Sequence, residues 1–200
     1  VFSPKELEDA AARLRRTGAF RSVAVIEEDV AGDGETMPIT ASVVDNKPRR
    51  LGFGVEFATI EGLTLNAFWL HRNLFGGAER LRIDGFYGGL GGDNGGIDYG
   101  INFRFDRPAT FNADTGFYAK LQLEHIDDPN VESDTAAVEM GAEWRRSDEQ
   151  TYRLGAGLRH SDTKDALDDT KYTTFYIPAG LTFDYRNNEL DARRGYYLNY

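Results

Sequence analysis

Two pairs of acidic residues have the types and spacing for acid–base chemistry. Glu139 and Glu143 form one pair, and Asp184 and Glu189 form the other. In such a pair one carboxyl group donates a proton while the other accepts one. Neither pair is accompanied by a nucleophile motif, a phosphate-binding loop or a cluster of metal ligands. The sequence therefore predicts no catalytic residues and no enzyme.

The histidines are His71, His125 and His160, and they would supply the nitrogen ligands of any metal site. No two of them have the spacing of ligands on one predicted element. All three fall at the ends of predicted strands, on an apolar face, so we expect them at an interface. The chain has no cysteine, which excludes disulfides, thiolate sites and a cysteine nucleophile. No metal site and no cofactor are predicted.

The elements that must position these side chains are strands. Apolar residues alternate with polar residues and glycine at a period of two, the pattern of a strand with one apolar face. Beyond Pro48 no helical periodicity is visible. Eight such runs, and the start of a ninth near Gly195, follow one another: 50–58, 63–70, 80–87, 97–106, 117–124, 136–145, 152–159 and 175–186.

The polar face of these runs carries charges of both signs, such as Arg104, Lys120 and Glu139. Charged groups are not stable in a dry core without partners, so this face must enclose water and the other must meet something apolar. Runs of about ten residues separated by turns are typical of membrane-spanning β-strands. Acidic segment 127–134 and segment 161–173 are expected as loops at the end of the sheet far from the N-terminal region.

Aromatic residues recur at one end of the predicted strands. If the chain enters the first strand from the side of its N-terminal region, the apolar face at that same end carries six of them. Such a ring is typical of a girdle at a membrane interface. The predicted aromatic girdle comprises Trp69, Phe105, Phe117, Trp144, Tyr152 and Tyr185.

Composition limits the possible functions. The chain has 200 residues, 40% of them hydrophobic, which is enough to build a core. Its formal charge of -10 argues against nucleic-acid binding, because a phosphate backbone needs a basic face. No apolar run approaches the roughly 20 residues of a membrane helix, but barrel strands alternate and leave hydropathy low.

The first 47 residues have a different pattern. Ser3 is a predicted N-cap, Pro4 suits the first helical position, and Glu6 completes a capping box. Gly18 is expected to end the helix, and two strands follow over 22–27 and 38–45. One helix and a hairpin are too little for an independent fold, so we expect a further strand and helix upstream.

Three segments in order resemble the outer-membrane assembly superfamily. The helix, two strands and NKPRRLGFGVEF from Asn46 resemble its last polypeptide-transport-associated (POTRA) domain running into the barrel. HRNLFGGAERLRIDG from His71 resembles a barrel turn of the TamA branch, the outer-membrane subunit of the translocation and assembly module. DYRNNELDARRGYYL from Asp184 resembles the superfamily's Asp-x-Arg turn with its later glycine, although Ala192 stands where proline is common.

The resemblance implies a mainly β fold. Residues 1–47 would be the C-terminal part of an α/β POTRA domain in the periplasm. Residues 48–200 would be the N-terminal half of a transmembrane antiparallel β-barrel in the outer membrane of a Gram-negative-type cell. The turn motif would be formed by Asp184, Arg186 and Gly195.

The resemblance also implies a mechanism. In this superfamily the first and last barrel strands meet at a weak seam, so the first strand can offer its edge to a client strand. Gly52 and Gly54 either supply little packing to keep the seam closed or merely ease barrel curvature. The lateral-gate strand would comprise Arg50, Leu51, Gly52, Phe53, Gly54, Val55, Glu56 and Phe57.

The implied function is a TamA-like factor that inserts or translocates β-barrel and autotransporter clients. Its partners would be outer-membrane lipid, unfolded clients and an inner-membrane-anchored TamB-like protein, with no nucleic acid. Two alternatives stay open: a two-partner-secretion pore that exports a soluble client, and the barrel anchor of a hydrolase-fused member. Three upstream POTRA domains would favour the first reading, two would favour the pore, and a serine-hydrolase elbow would favour the anchor.

Overall fold

In a computed structural model of the chain, the described residues are 3–27, 37–93, 95–188 and 190–200. The N-terminal unit contains α1 (Pro4–Arg16), β1 (Phe20–Glu27) and β2 (Ile39–Asp45). Ser3 is the N-cap in extended conformation, but its side chain makes no capping hydrogen bond, so the predicted capping box is wrong. Gly18, at a φ of 69°, ends the helix as predicted, because this left-handed conformation favours glycine.

Beyond Pro48 the described residues form one antiparallel sheet of ten strands, in which consecutive strands are neighbours except that β10 and β11 both lie beside β9. The sheet begins at β3 and ends at β12, and these two strands do not pair with each other within the described ranges. The sheet is therefore open. Its strands are β3 (Arg49–Ala58), β4 (Gly62–Arg72), β5 (Arg80–Leu90), β6 (Asp98–Asn112), β7 (Thr115–Asp128), β8 (Val131–Arg145), β9 (Gln150–Asp165), β10 (Asp169–Tyr176), β11 (Ala179–Asp184) and β12 (Tyr197–Asn199).

The predicted run 175–186 is interrupted in the structure. β10 and β11 both pair with β9, and they keep one register, from Tyr176 opposite Gly157 to Ala179 opposite Leu154. Pro178 lies between them and has no N–H to donate. Its carbonyl still accepts a hydrogen bond from the Gly155 N–H at 2.9 Å. The two segments are thus one strand with a proline break.

The far-side loops predicted at 127–134 and 161–173 are wrong. β7 and β8 continue through the first segment and meet at a turn over 129–130, and β9 and β10 leave only 166–168 unpaired in the second. The reason is that both faces of these strand ends are polar, so they carry no apolar alternation. We call this the far end of the sheet, and the near end is where β3 begins at Arg49.

The sheet has its apolar side outward. Tyr118 and Ser161, each 2% exposed, and the buried Ala137 lie on the face that carries glycines and charges. The opposite face is open, and Phe53 on it is 78% exposed. Because a curved sheet encloses only its concave side, the charged face is the inward face and the apolar face is the outward face. Exposed outward residues include Leu121, Leu123, Val138, Met140, Leu154, Leu158, Phe175 and Leu181.

Aromatic rings on the inward face lie over glycines of neighbouring strands. A Cβ at Gly100 would lie 2.5 Å from the Phe86 ring, and Cβ atoms at Gly141 and Gly155 would lie 2.7 and 2.6 Å from the Tyr118 hydroxyl oxygen. Real Cβ atoms essentially never lie this close to another atom, so a larger residue at these positions would displace the rings. The glycines therefore give the rings room to lie flat against the wall. No helix within the described ranges is long and apolar enough to cross a membrane.

Candidate functional site

The first strand of the sheet, β3, is the feature that carries the predicted gate. It pairs with β4 from Arg49 opposite His71 to Ala58 opposite Gly62, and its other edge has no partner among the described residues. An unpaired edge offers a row of backbone N–H and C=O groups to another strand. Its outward side chains are also open, since Phe57 is 75% exposed.

The two glycines of β3 have different surroundings. Gly52 lies opposite Phe68 of β4, and the Phe68 ring occupies the space that a Cβ at Gly52 would need. The guanidinium of Arg82 lies 4.5 Å from the centre of that ring, so a cation–π contact holds it in place. At Gly54 the nearest atom to such a Cβ is Cβ of Asn66, at an ordinary 3.7 Å. Packing against Phe68 thus requires glycine at position 52 alone.

The turn that joins β4 to β5 is organised by Glu79, which is 4% exposed. Its Oε2 accepts hydrogen bonds from the N–H groups of Phe75 and Gly77 at 3.2 and 3.0 Å, and Arg107 lies 3.8 Å from its Oε1. Burial by itself would raise the pKa of Glu79, but the backbone N–H donors and the Arg107 charge together hold that pKa below its ordinary value. This explains the glutamate within the HRNLFGGAERLRIDG segment.

The residues of the predicted turn motif, Asp184, Arg186 and Gly195, lie at the near end of the sheet. The Arg186 guanidinium forms two hydrogen bonds with the Asp184 carboxylate, at 2.8 and 2.6 Å, and it also lies over the Tyr197 ring. Gly195 has a φ of 97°, and a Cβ there would overlap the Tyr185 carbonyl. The chain can therefore turn back toward β12 only with glycine at this position.

The N-terminal unit is tied to the near-end turns by charge. Arg13 of α1 binds the Asp114 carboxylate through two hydrogen bonds, at 2.9 and 2.7 Å, and Arg16 bridges Asp114 and Asp148 at 3.1 and 3.2 Å. The hydrogen bonds from Arg13 keep the pKa of Asp114 below its ordinary value. Bidentate arginine contacts of this kind fix orientation as well as proximity.

The linker between the two parts is held by its own contacts. The Asn46 N–H donates to the Ala19 carbonyl at 2.7 Å, and the Asn46 side-chain amide donates to the Gly18 carbonyl at 3.3 Å. On the other side, the Arg72 guanidinium donates to the Lys47 carbonyl at 3.1 Å. The short NKP segment is therefore anchored to α1's end and to β4.

One member of each acidic pair considered for catalysis is engaged in structural contacts. Glu139 accepts hydrogen bonds from Lys120 at 2.9 Å and from the Tyr176 hydroxyl at 3.3 Å. Asp184 is bound to Arg186, and Glu189 lies outside the described residues. Pairing on a wet inward face accounts for these charges, between strands for Glu139 and along one segment for Asp184.

Five of the six predicted girdle residues make ring contacts, in four separate groups. Trp144 stacks on Tyr152 with the ring centres 5.4 Å apart, and Tyr152 meets Phe183 edge-on with the ring centres 5.9 Å apart. Phe105 contacts Phe75 of the β4–β5 turn at 6.4 Å. Trp69 instead contacts His71 at 5.7 Å, one strand from the sheet's first edge, and Tyr185 contacts Tyr196 at 5.1 Å.

A group of polar residues at the far end was not found from the sequence. His125 of β7 lies directly opposite Asp134 of β8, and their Nδ1 and Oδ1 atoms are 2.8 Å apart. Glu132 lies close to both. No spacing on one element could have revealed this group, because its members come from two strands.

Comparison with known proteins gives a family match and a structural match. Residues 73–200 match the family model described as the Omp85 superfamily domain. The crystal structure of BamA from Haemophilus ducreyi lacking POTRA domains 1–3 superposes with a TM-score of 0.71 at 17% sequence identity. The superposition covers 99% of this chain but 41% of that one, so the likeness is one of fold. No curated protein matches the chain.

Proposed function

The chain belongs to the Omp85 superfamily, and on that premise we propose that it is part of an outer-membrane assembly factor that inserts or translocates client β-barrel proteins. The observation that carries the proposal is the inverted burial of the sheet. Charged and glycine residues line the enclosed face, whereas Leu121, Leu154 and other apolar side chains point outward. Such a sheet is stable when hydrocarbon covers its outer side and water fills the inner side.

The outward aromatic residues fit that placement. Rings such as Trp144 and Tyr152 combine an apolar body with a polar tip, which suits the boundary between lipid and water. Their stacking in pairs at the near end supports a girdle that anchors this rim of the barrel and disturbs the lipid around it.

The unpaired edge of β3 is the proposed client-binding element. A client strand that adds to residues 50–57 gains backbone hydrogen bonds along the edge, and no chemical fuel is needed for that gain. The opposite edge of β3 pairs with β4 from Arg49 to Ala58, and the Phe68 ring of β4 packs over Gly52. These contacts hold β3 to β4. The strand can thus release its seam partner while β4 keeps its shape.

We assign residues 1–47 to the C-terminal part of a POTRA domain and 48–200 to the N-terminal half of the barrel. The ion pairs of Arg13 and Arg16 with Asp114 support a fixed approach of that domain to the periplasmic rim. The resemblance of the segment from His71 to Gly85 to the TamA branch favours an inner-membrane-anchored TamB-like partner and autotransporter clients.

Site-specific crosslinking tests the gate. The chain has no native cysteine, so a single cysteine at Glu56 or Phe57 reports only its own surroundings. We expect each to crosslink to a client stalled during assembly. Leu121 is the control, because like Phe57 it is exposed on the outward face but it lies in β7, far from the edge. Crosslinks no more frequent at 56 and 57 than at 121 would refute the templating role and leave the family membership untouched.

A further inference from the structure

We infer that His125, Asp134 and Glu132 form a binding site for a divalent transition-metal cation, with Zn²⁺ the best fit. The site lies on the outward face at the far end of β7 and β8, away from the β3 edge. It is independent of the proposed client-binding role. One nitrogen and two carboxylate ligands with a position left for water are a donor set that zinc accepts.

The geometry brings the three donors together. One candidate ligand atom from each residue lies within 4.8 Å of the others. Ligand atoms around zinc, each about 2 Å from the ion, lie roughly 3.3 Å apart in a tetrahedral site. Binding an ion would mainly require Glu132 to move closer, and its long side chain is held among the described residues by an exposed ion pair with Lys164 at 3.4 Å, which is a weak restraint.

The ring of His125 is held in a fixed orientation. Its side chain is 17% exposed, and its ring stacks on Tyr99 of β6 with the ring centres 4.8 Å apart. Stacking fixes the plane of the imidazole, and the neighbouring Asp134, 57% exposed, leaves the approach to it open. A ligand whose orientation is fixed in advance loses less freedom when an ion binds.

The charges around the site favour the binding of a cation. Asp134 lies directly opposite Asp162 of β9 in the register of the sheet, and like charges in such a pair repel. Lys171 neutralises Asp162 through Oδ2 at 2.5 Å. The Oδ1 atom of Asp162 is buried and has no hydrogen-bond partner among the described residues. Asp134 itself has no lysine or arginine partner among the described residues, so a cation beside it offsets its charge.

A competition titration tests the site. The folded full-length protein, in detergent micelles and stripped with a chelator, is titrated with ZnCl₂ against a chromophoric zinc chelator. We expect His125→Ala to lose one equivalent of bound Zn²⁺ relative to the unmodified protein. We expect Asp134→Asn to lower the affinity for that same Zn²⁺ ion by about 10- to 100-fold. Because Asp134 is largely exposed, Asp134→Asn should fold even if His125→Ala does not.

His71→Ala is the matched control, since His71 lies on the same face at the near end of β4. This variant should bind zinc as the unmodified protein does. A cobalt(II) titration gives a second readout, because tetrahedral coordination produces a visible absorption band that His125→Ala should abolish. Retention of the full zinc equivalent and of the cobalt band by both site variants would overturn the inference. Absence of zinc binding by the unmodified protein would overturn it equally.

Discussion

The ring of Phe68 in β4 lies over Gly52 in β3, in the space that a Cβ at Gly52 would need. Gly52→Ala must therefore push the ring out of its contact with Arg82. We expect the free energy of unfolding to fall by about 1–3 kcal/mol. Gly54→Ala is the matched control, since its Cβ meets only Asn66 at 3.7 Å, and it should be neutral or slightly stabilising.

Urea unfolding in lipid vesicles, followed by tryptophan fluorescence, measures the Gly52→Ala and Gly54→Ala effects. In a double variant, Phe68→Ala should remove most of the penalty of Gly52→Ala, because the clash needs both side chains. Equal destabilisation by the two glycine variants would show that curvature, and not the ring, requires glycine at position 52.

Two adjacent residues of β7 test which side of the sheet meets lipid. Leu121 points outward near the middle of the apolar belt, and Gln122 points inward, where its amide donates to Glu124 at 2.6 Å. Leu121→Arg should cost about 2–4 kcal/mol of folding free energy in vesicles, since the charge enters hydrocarbon. Gln122→Arg should cost much less, because it reaches water and carboxylates. The fraction of heat-modifiable folded protein after refolding compares the two variants, and the reverse order would reject the assigned orientation.

The buried carboxylate of Glu79 should be needed for the turn between β4 and β5. Glu79→Gln removes the charge that accepts two backbone N–H groups, and we expect a loss of about 1–3 kcal/mol. Glu61→Gln, an exposed change in the β3–β4 turn, is the control and should stay within about 0.5 kcal/mol. Urea unfolding curves compare both variants with the unmodified protein at neutral pH, and similar midpoints for the two would contradict this role.

Attachment of α1 to the sheet should depend on pH through Asp114. The pKa of Asp114 is lower in the folded protein than its ordinary value, because it accepts hydrogen bonds from Arg13. The contact therefore contributes fully above the ordinary aspartate pKa, about 3.9, and is lost as the pH falls through the lowered folded value.

Spin labels at Glu8 in α1 and Phe111 in β6 can follow this attachment as a distance. Asp114→Asn should broaden the distance distribution at neutral pH much as acid does to the unmodified protein. Asp148→Asn should have a smaller effect, since Asp148 is exposed and binds Arg16 alone at 3.2 Å. A distribution unchanged in Asp114→Asn would show that other contacts hold the helix.

The alternation of apolar and polar residues predicts much of this architecture, because each face of a strand is covered either by hydrocarbon or by water. The run from Ile97 to Asp106 obeys the pattern throughout, and the structure has β6 there. Where both faces are polar, as beyond His125 in β7 and beyond His160 in β9, the pattern vanishes. The strands continue nonetheless, because backbone pairing with β8 and β10 does not need apolar side chains.

The sequence by itself determined the strands of the sheet, their apolar faces and the glycine at position 195, because these depend on local period and local backbone conformation. Only the tertiary structure decided that Arg13 binds Asp114, 101 positions away, and that His125 faces Asp134 on the neighbouring strand. Such contacts depend on which strands become neighbours and in what register. That choice depends on the whole sheet as it forms, and no short segment determines it.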